Sequence, residues 1–199
     1  MENPVAKVEG LRPHACDLVR EAAAILAGSF LVAVCARIFF PLPGTPVPLT
    51  CQNLAVLVVG LALGSRSGFV ALLLYLAEGA AGLPVFSPTG PGGLLQLVGP
   101  TGGYLLAYPL AAGLTGYLFE RGRPTFYRAA VAAITGELVV FSGGISWLFV
   151  LTHSLSKAVG FGLFWFVFAE IIKVMLAAGT AREWHRRFPR GRLSDRGLI

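Results

Sequence analysis

The sequence predicts an all-α integral membrane protein, and three observations carry that prediction. Of 199 residues, 55% are hydrophobic and 13% charged, with a mean hydropathy of +0.72. A soluble domain of this length carries roughly 25% charged residues. The apolar residues fall into helix-length runs separated by short polar segments. The basic residues, 13 Arg and 3 Lys, gather in alternate segments, as the positive-inside rule requires. That placement accounts for the net charge of +6 better than a nucleic-acid-binding face does, so no nucleic-acid partner is expected.

Residues 1–21 read as a cytoplasmic lead-in, 22–181 as one six-helix membrane domain and 182–199 as a basic cytoplasmic tail. The first span runs from Ala22 to Phe40 and is stopped by Pro41-Leu42-Pro43-Gly44. With no short apolar core before a small-residue cleavage site, it is read as a retained helix. Four-residue spacing pairs Ala23 with Ala27, and Ser29 with Ala33, in small-residue stripes that suit close helix approach in lipid. Packing within the protein and docking of a partner both fit those stripes. The second span covers Thr50 to Gly64 and the third Gly68 to Gly82, joined by a tight basic turn, Gly64-Ser65-Arg66-Ser67-Gly68. The fourth is Tyr104 to Phe119, the fifth Ala129 to Val150, and the sixth lies within Phe161 to Ala181. Six spans put both termini on one side. With the termini inside, thirteen Lys and Arg are cytoplasmic and only Arg37 and Lys157 external.

The external connection between the third and fourth spans is unusual. Gly79 to Gly103 holds eight glycines, four prolines and no charged residue, so it is expected to be irregular. Leu83, Val85, Phe86, Leu94, Leu95, Leu97 and Val98 run through it, which is wrong for a solvated linker. Irregular backbone at membrane depth is tolerated where it lines a cavity, so the stretch is read as a wall and lid. Gly92 and Gly93 are expected to permit close backbone approach to a ligand.

Polar residues inside the spans carry the functional reading. Glu170 and Lys173 lie three apart on one helix face, and a charge at that depth costs at least ~2.5–3.5 kcal/mol on insertion scales. They form either a self-contained ion pair or a binding pair. Gln52, Asn53, Gln96 and Tyr104 gather at the external ends, as helix caps or as ligand contacts. Trp147 and Trp165 are belt aromatics or a flat wall for a ring. Glu78 reads as a solvated interface residue, and Glu137 as a protonated carboxyl bonded to a neighbour such as Thr135 or Thr115. Cys16, Cys35 and Cys51 lack metal-site spacing, and no metal or cofactor is expected. The chain has no P-loop, GxSxG or HExxH motif. A binding and translocation subunit is the better reading, the alternative of another class being a membrane enzyme using Glu170, Glu137 or Tyr104.

Pro46-Val47-Pro48-Leu49-Thr50, followed by Gln52, Leu54 and Ala55-Val56-Leu57, resembles a segment of the BioY family, the biotin-binding S components of energy-coupling factor (ECF) transporters. The resemblance continues through Gly82-Leu83-Pro84-Val85-Phe86, Gly92-Gly93 and Gly99-Pro100-Thr101-Gly102-Gly103-Tyr104. It recovers at Glu170-Ile171-Ile172-Lys173, similar to that family's (D/E)-x-x-K. Two departures are Trp165, where the family usually has proline, and Ser87-Pro88-Thr89, where it is usually richer in glycine.

The resemblance implies a protein of the bacterial cytoplasmic membrane that captures biotin from outside, with Glu170 and Lys173 as its main contacts. Gln52, Asn53, Phe86, Gly92, Gly93, Gln96, Tyr104 and Trp165 are further candidates. It also implies partners: a transmembrane coupling subunit, docked through Ala23, Ala27, Ser29 and Ala33, and two cytoplasmic ATPases. A second alternative within the transporter class is an S component or small secondary transporter for another vitamin.

Overall fold

A computed structural model describes residues 15–164 and 166–187. Most of the predicted lead-in, the end of the tail and Trp165 lie outside the described residues. Eight α-helices follow in order: α1 Ala15–Ala36, α2 Gln52–Leu63, α3 Ser65–Ala80, α4 Gly93–Val98, α5 Gly102–Glu120, α6 Phe126–Thr152, α7 Leu155–Val159 and α8 Val167–Arg187, with a π-helical turn, Gly160–Phe164, between the last two. Among the described residues, two helices are long and apolar enough to cross a bilayer, Asp17–Ala36 and Phe126–Thr152. A third joins them if Leu155–Leu163 and Phe168–Ala181, bent by 49°, form one span. Large apolar side chains such as Leu26, Phe30, Leu138 and Phe168 lie exposed on the outer helix faces, as lipid-facing residues do. The chain is a multi-pass membrane protein.

Several boundaries differ from the sequence reading: α6 starts at Phe126, three residues before the expected Ala129, and α8 continues to Arg187, past the expected Ala181 and into the expected tail. The first helix starts seven residues early, at Ala15, and ends at Ala36. Its expected last residues, Phe39–Phe40, form strand β1 and pair antiparallel with β2, Leu49–Thr50, in the register Phe39↔Thr50. The prolines between the strands favour extended backbone and cannot continue a helix. The expected basic turn between the second and third spans is one residue: Gly64, at φ 87°, reverses the chain and α3 restarts at Ser65. Lastly, the Gly/Pro stretch is not wholly irregular, since it contains α4.

Helix α5 sits at the centre, against α6, α3 and α2, while α8 packs on α6 and α2. Small residues allow the approach: a side chain on Gly103 would strike Trp147 and the Gly143 carbonyl, and one on Gly60 would strike the Ala112 backbone. The larger apolar core, including Val56, Leu72, Tyr75, Tyr108 and Val140, joins α1, α2, α3, α5 and α6. A second cluster, with Leu57, Leu61, Ala133 and Ala177, seats α8 against α2 and α6. This second contact sets the depth and rotation of the Glu170–Lys173 face.

The small residues of α1 divide between two faces. Ala23 and Ala27 are exposed, whereas Ser29 is fully buried and donates to Glu78 Oε2 at 2.5 Å. Ala33 packs against the core. Six residues of helix separate Ala27 from Ala33, about 120° of rotation away from alignment. The expectation that Ser29 and Ala33 share an outward docking surface is therefore corrected, and Glu78 is a helix-to-helix partner rather than a purely solvated residue.

Candidate functional site

A cavity opens among α2, α5, α8 and the Gly/Pro stretch, with about 480 Å³ of empty space including its mouth. Three short sequence patterns build it. Gln52 and Asn53 open α2, directly after the β2 strand that brings in Thr50. Tyr104, Leu105 and Tyr108 share a face of α5, and Phe166, Glu170 and Lys173 share one leading into α8 at spacings of four and three. Val47, Pro48 and Phe141 add apolar wall, and Ser87, Gln96 and Thr101 close the loop side.

The polar groups are arranged in a graded series. Lys173 Nζ donates to Glu170 Oε1 at 2.6 Å, and the two residues are 8% and 3% exposed. Glu170 Oε2 has no partner. Asn53 is held at both ends of its amide: its Oδ1 accepts from Tyr108 at 2.9 Å, and its Nδ2 donates to Glu137 Oε1 at 2.9 Å. Glu137 thus bonds Asn53 and not the expected threonines, whose hydroxyls donate to Ala132 and Val131 carbonyls. A lysine ammonium has three donors, so Lys173 keeps capacity beyond its ion pair. A buried pair with spare donors and one spare acceptor oxygen is suited to a ligand that offers both kinds of group.

Other candidates are already occupied by the fold. Gln52 Nε2 donates to Tyr75 at 2.6 Å, and Tyr75 in turn donates to the Val85 carbonyl at 3.2 Å. Tyr104 donates to the Gly162 carbonyl in the π-helical turn at 2.9 Å, with its ring edge-on to Phe141. Gln96, 2% exposed, accepts from the Gly92 N–H at 3.1 Å and donates to the Ser87 carbonyl at 3.2 Å. These three side chains line the cavity while bracing its walls.

A second, more open cleft lies on the other side of the same loop, lined by Arg37, Leu83, Phe86, Pro88, Gly92 and Gly93 among others. Ser87 and Gln96 line both spaces. Phe86, Gly92 and Gly93 are therefore not brought into the inner cavity. Phe86 is buried edge-on against Tyr75 and sits over Gly79, where any side chain would collide with its ring. Gly92 and Gly93 have φ of 72° and 60° with open space beside them. Positive φ gives a backbone reason for glycine at both positions. Arg37 donates to the Pro84 carbonyl and ties the loop to the end of α1.

A sequence profile of the BioY family matches residues 5–190. The chain belongs to the BioY family. It is 34% identical over 154 residues to the biotin transporter BioY of Thermotoga maritima, covering 77% of this chain and 90% of that one. It is 37% identical over 153 residues to the biotin transporter BioY2 of Lactococcus lactis subsp. cremoris, covering 76% and 82%. Among solved structures it resembles the S-component for biotin from an ECF-type ABC transporter, with a TM-score of 0.81 at 21% identity over 88% of this chain and 95% of that one. That last likeness is one of fold.

In this BioY-family chain the cavity gathers Gln52, Asn53, Gln96, Tyr104, Glu170 and Lys173. The sequence reading missed Tyr108, four residues after Tyr104 on α5, and Phe166, four residues before Glu170 at the entry to α8, and spacing alone could have found them. Ser87 and Thr101 lie in or beside the irregular stretch, where no period assigns a face. Glu137, left without a role by its sequence position, is tied to the cavity through Asn53.

Proposed function

We propose that the chain captures biotin at the external face of the bacterial cytoplasmic membrane and serves as the substrate-binding subunit of an ECF transporter, with biotin as cargo and no cofactor of its own. The observation that carries this reading is the buried Glu170–Lys173 pair facing a cavity of the right chemistry in a BioY-family chain. Biotin has an apolar bicycle, a ureido group with two donors and one acceptor, and a flexible carboxylate tail. Val47, Leu105, Phe141 and Phe166 offer apolar wall to the bicycle. Glu170 accepts from the ureido N–H groups, and Lys173 donates to a carbonyl or carboxylate oxygen. The relatives are named as transporters, and that favours carriage over an enzymatic use of the same carboxyls.

In this reading α1, α2, α3, α5, α6 and the bent α7–α8 unit are six spans with both termini cytoplasmic, and the Gly/Pro stretch covers the site from outside. The short α2 and α3 pack on the central α5, and the Ser65 N–H at the start of α3 donates to Glu120 Oε2 at the end of α5 at 3.3 Å. ATP hydrolysis is supplied by two cytoplasmic ATPases through a transmembrane coupling subunit. The docking face on α1 is reduced to Ala23 and Ala27, the exposed pair. Ala27→Trp is expected to bind biotin normally yet fail to co-purify with the coupling subunit. Ala33→Trp would instead press on the core and test folding.

The deciding experiment is mass spectrometry of the small molecule retained after detergent purification, followed by calorimetric titration with biotin. Saturable, one-to-one binding is expected. Absence of binding to the emptied, folded protein, or tighter binding of another vitamin, would overturn the assignment.

A further inference from the structure

Glu137 lies one helix away from the proposed contact pair and is 5% exposed. Its Oε1 accepts from Asn53, and its Oε2 has no partner. Glu170 repeats that pattern, with Oε1 on Lys173 and Oε2 unpaired. The two carboxyls, on the packed helices α6 and α8, act on each other electrostatically. Around them, α2 contributes the neutral Asn53 amide and α8 the Lys173 ammonium. Helix α5 contributes Tyr108, whose proton is turned to Asn53, and Tyr104, whose proton is on Gly162. Tyr75 on α3 stands behind Tyr108 and donates to Val85. Among the described residues, Lys173 is the cation facing this group.

Two ionised carboxylates against one ammonium would leave a net negative charge in a low-dielectric interior, with two buried oxygens unpaired. A buried polar atom without a partner costs about 1–3 kcal/mol, more when charged, and like charges sharing a buried site disfavour each other's ionisation. One proton resolves both problems. It converts the repulsion into an O–H···O bond, satisfies both orphan oxygens and leaves a cluster of zero net charge.

We propose that Glu137 and Glu170 hold one proton between Glu137 Oε2 and Glu170 Oε2, making the inner wall of the cavity a proton-binding site. The consequence for cargo rests on the reading above: with the proton on the Glu137 side, Glu170 stays an acceptor for N–H donors and Lys173 stays free to donate. Glu137 is then a positioning residue, setting both the orientation of Asn53 and the charge of Glu170.

The test is infrared spectroscopy of the purified, ligand-free protein at neutral pH, where exposed carboxyls are ionised. A carboxylic-acid C=O band that shifts in D2O is expected in the wild type. It should disappear in Glu137→Gln and in Glu170→Gln, because the amide donates to the remaining carboxylate in place of the shared proton. A thermal unfolding curve for each variant verifies that it is folded. Absence of the band from the wild type, or its persistence in both variants, would overturn the proposal. Since no cargo is present, failure of biotin to bind would sink the transport reading and leave this result standing.

Discussion

The two walls of the cavity hold their polar groups by different means. On the helical side, Asn53, Tyr108, Glu137, Glu170 and Lys173 come from α2, α5, α6 and α8 and bond one side chain to another. On the loop side, Gln96 of the short helix α4 spends both ends of its amide on the irregular segment before it, at the Gly92 N–H and the Ser87 carbonyl. The difference follows from the backbone. A helix satisfies its own N–H and C=O groups, so its side chains are free to specify a ligand. An irregular, proline-broken segment has main-chain groups left over, and buried ones must be paired, so a neighbouring side chain such as Gln96 is consumed in tying it down. Recognition is thereby concentrated on the helices, and access on the loop.

Four substitutions probe that division. The largest effect belongs to the helical wall. Lys173→Ala leaves Glu170 buried without its cation and should cost about 2–5 kcal/mol of biotin binding, a loss of roughly thirtyfold or more by calorimetry. Near-native affinity would remove Lys173 from the site. Next is Gly103→Ala, whose added carbon falls on Trp147 and the Gly143 carbonyl between α5 and α6. Overpacking of this kind costs about 1–3 kcal/mol and should lower the unfolding temperature in detergent. Gln96→Ala removes two loop ties and is expected to weaken affinity less than tenfold; a loss as large as that of Lys173→Ala would make Gln96 a ligand contact and blur the contrast. Smallest is Gly92→Ala, at φ 72° with open space beside it. With ψ at 174° the backbone is in a region essentially reserved for glycine. The strain of about 1–3 kcal/mol falls on the loop, so biotin affinity should change least of the four while the unfolding temperature drops no further than in Gly103→Ala.

The helical wall was the more legible from sequence for the same reason. Spacing of three placed Glu170 with Lys173 on one face, and the same rule extended by a turn reaches Phe166. Gln52, Asn53 and Tyr104 were recognisable as polar or amphipathic residues at helix starts. What spacing could not supply was the partner of each group. That Glu137 meets Asn53, or that Tyr104 spends its proton on Gly162, depends on how α5, α6 and α8 rotate against one another, which the small-residue contacts set. The stripes of α1 failed similarly: each four-residue pair was real, but the angle between the pairs turned Ser29 and Ala33 inward. In the Gly/Pro stretch, composition identified a covering element. It did not distinguish Gly79 and Gly103, which make room for a neighbouring ring and helix, from Gly92 and Gly93, which adopt positive φ.

Because Gln96 and Ser87 border both the inner cavity and the outer cleft, their mutual tie also has a kinetic meaning. Two neutral hydrogen bonds contribute about 2 kcal/mol together, so by these bonds alone roughly one molecule in thirty has the loop untied at any instant. Such a latch opens often and slows arrival little. A long residence time, if measured, must then originate in the deep contacts, and mutations in the loop and in the helices should separate into changes of exchange rate and changes of hold.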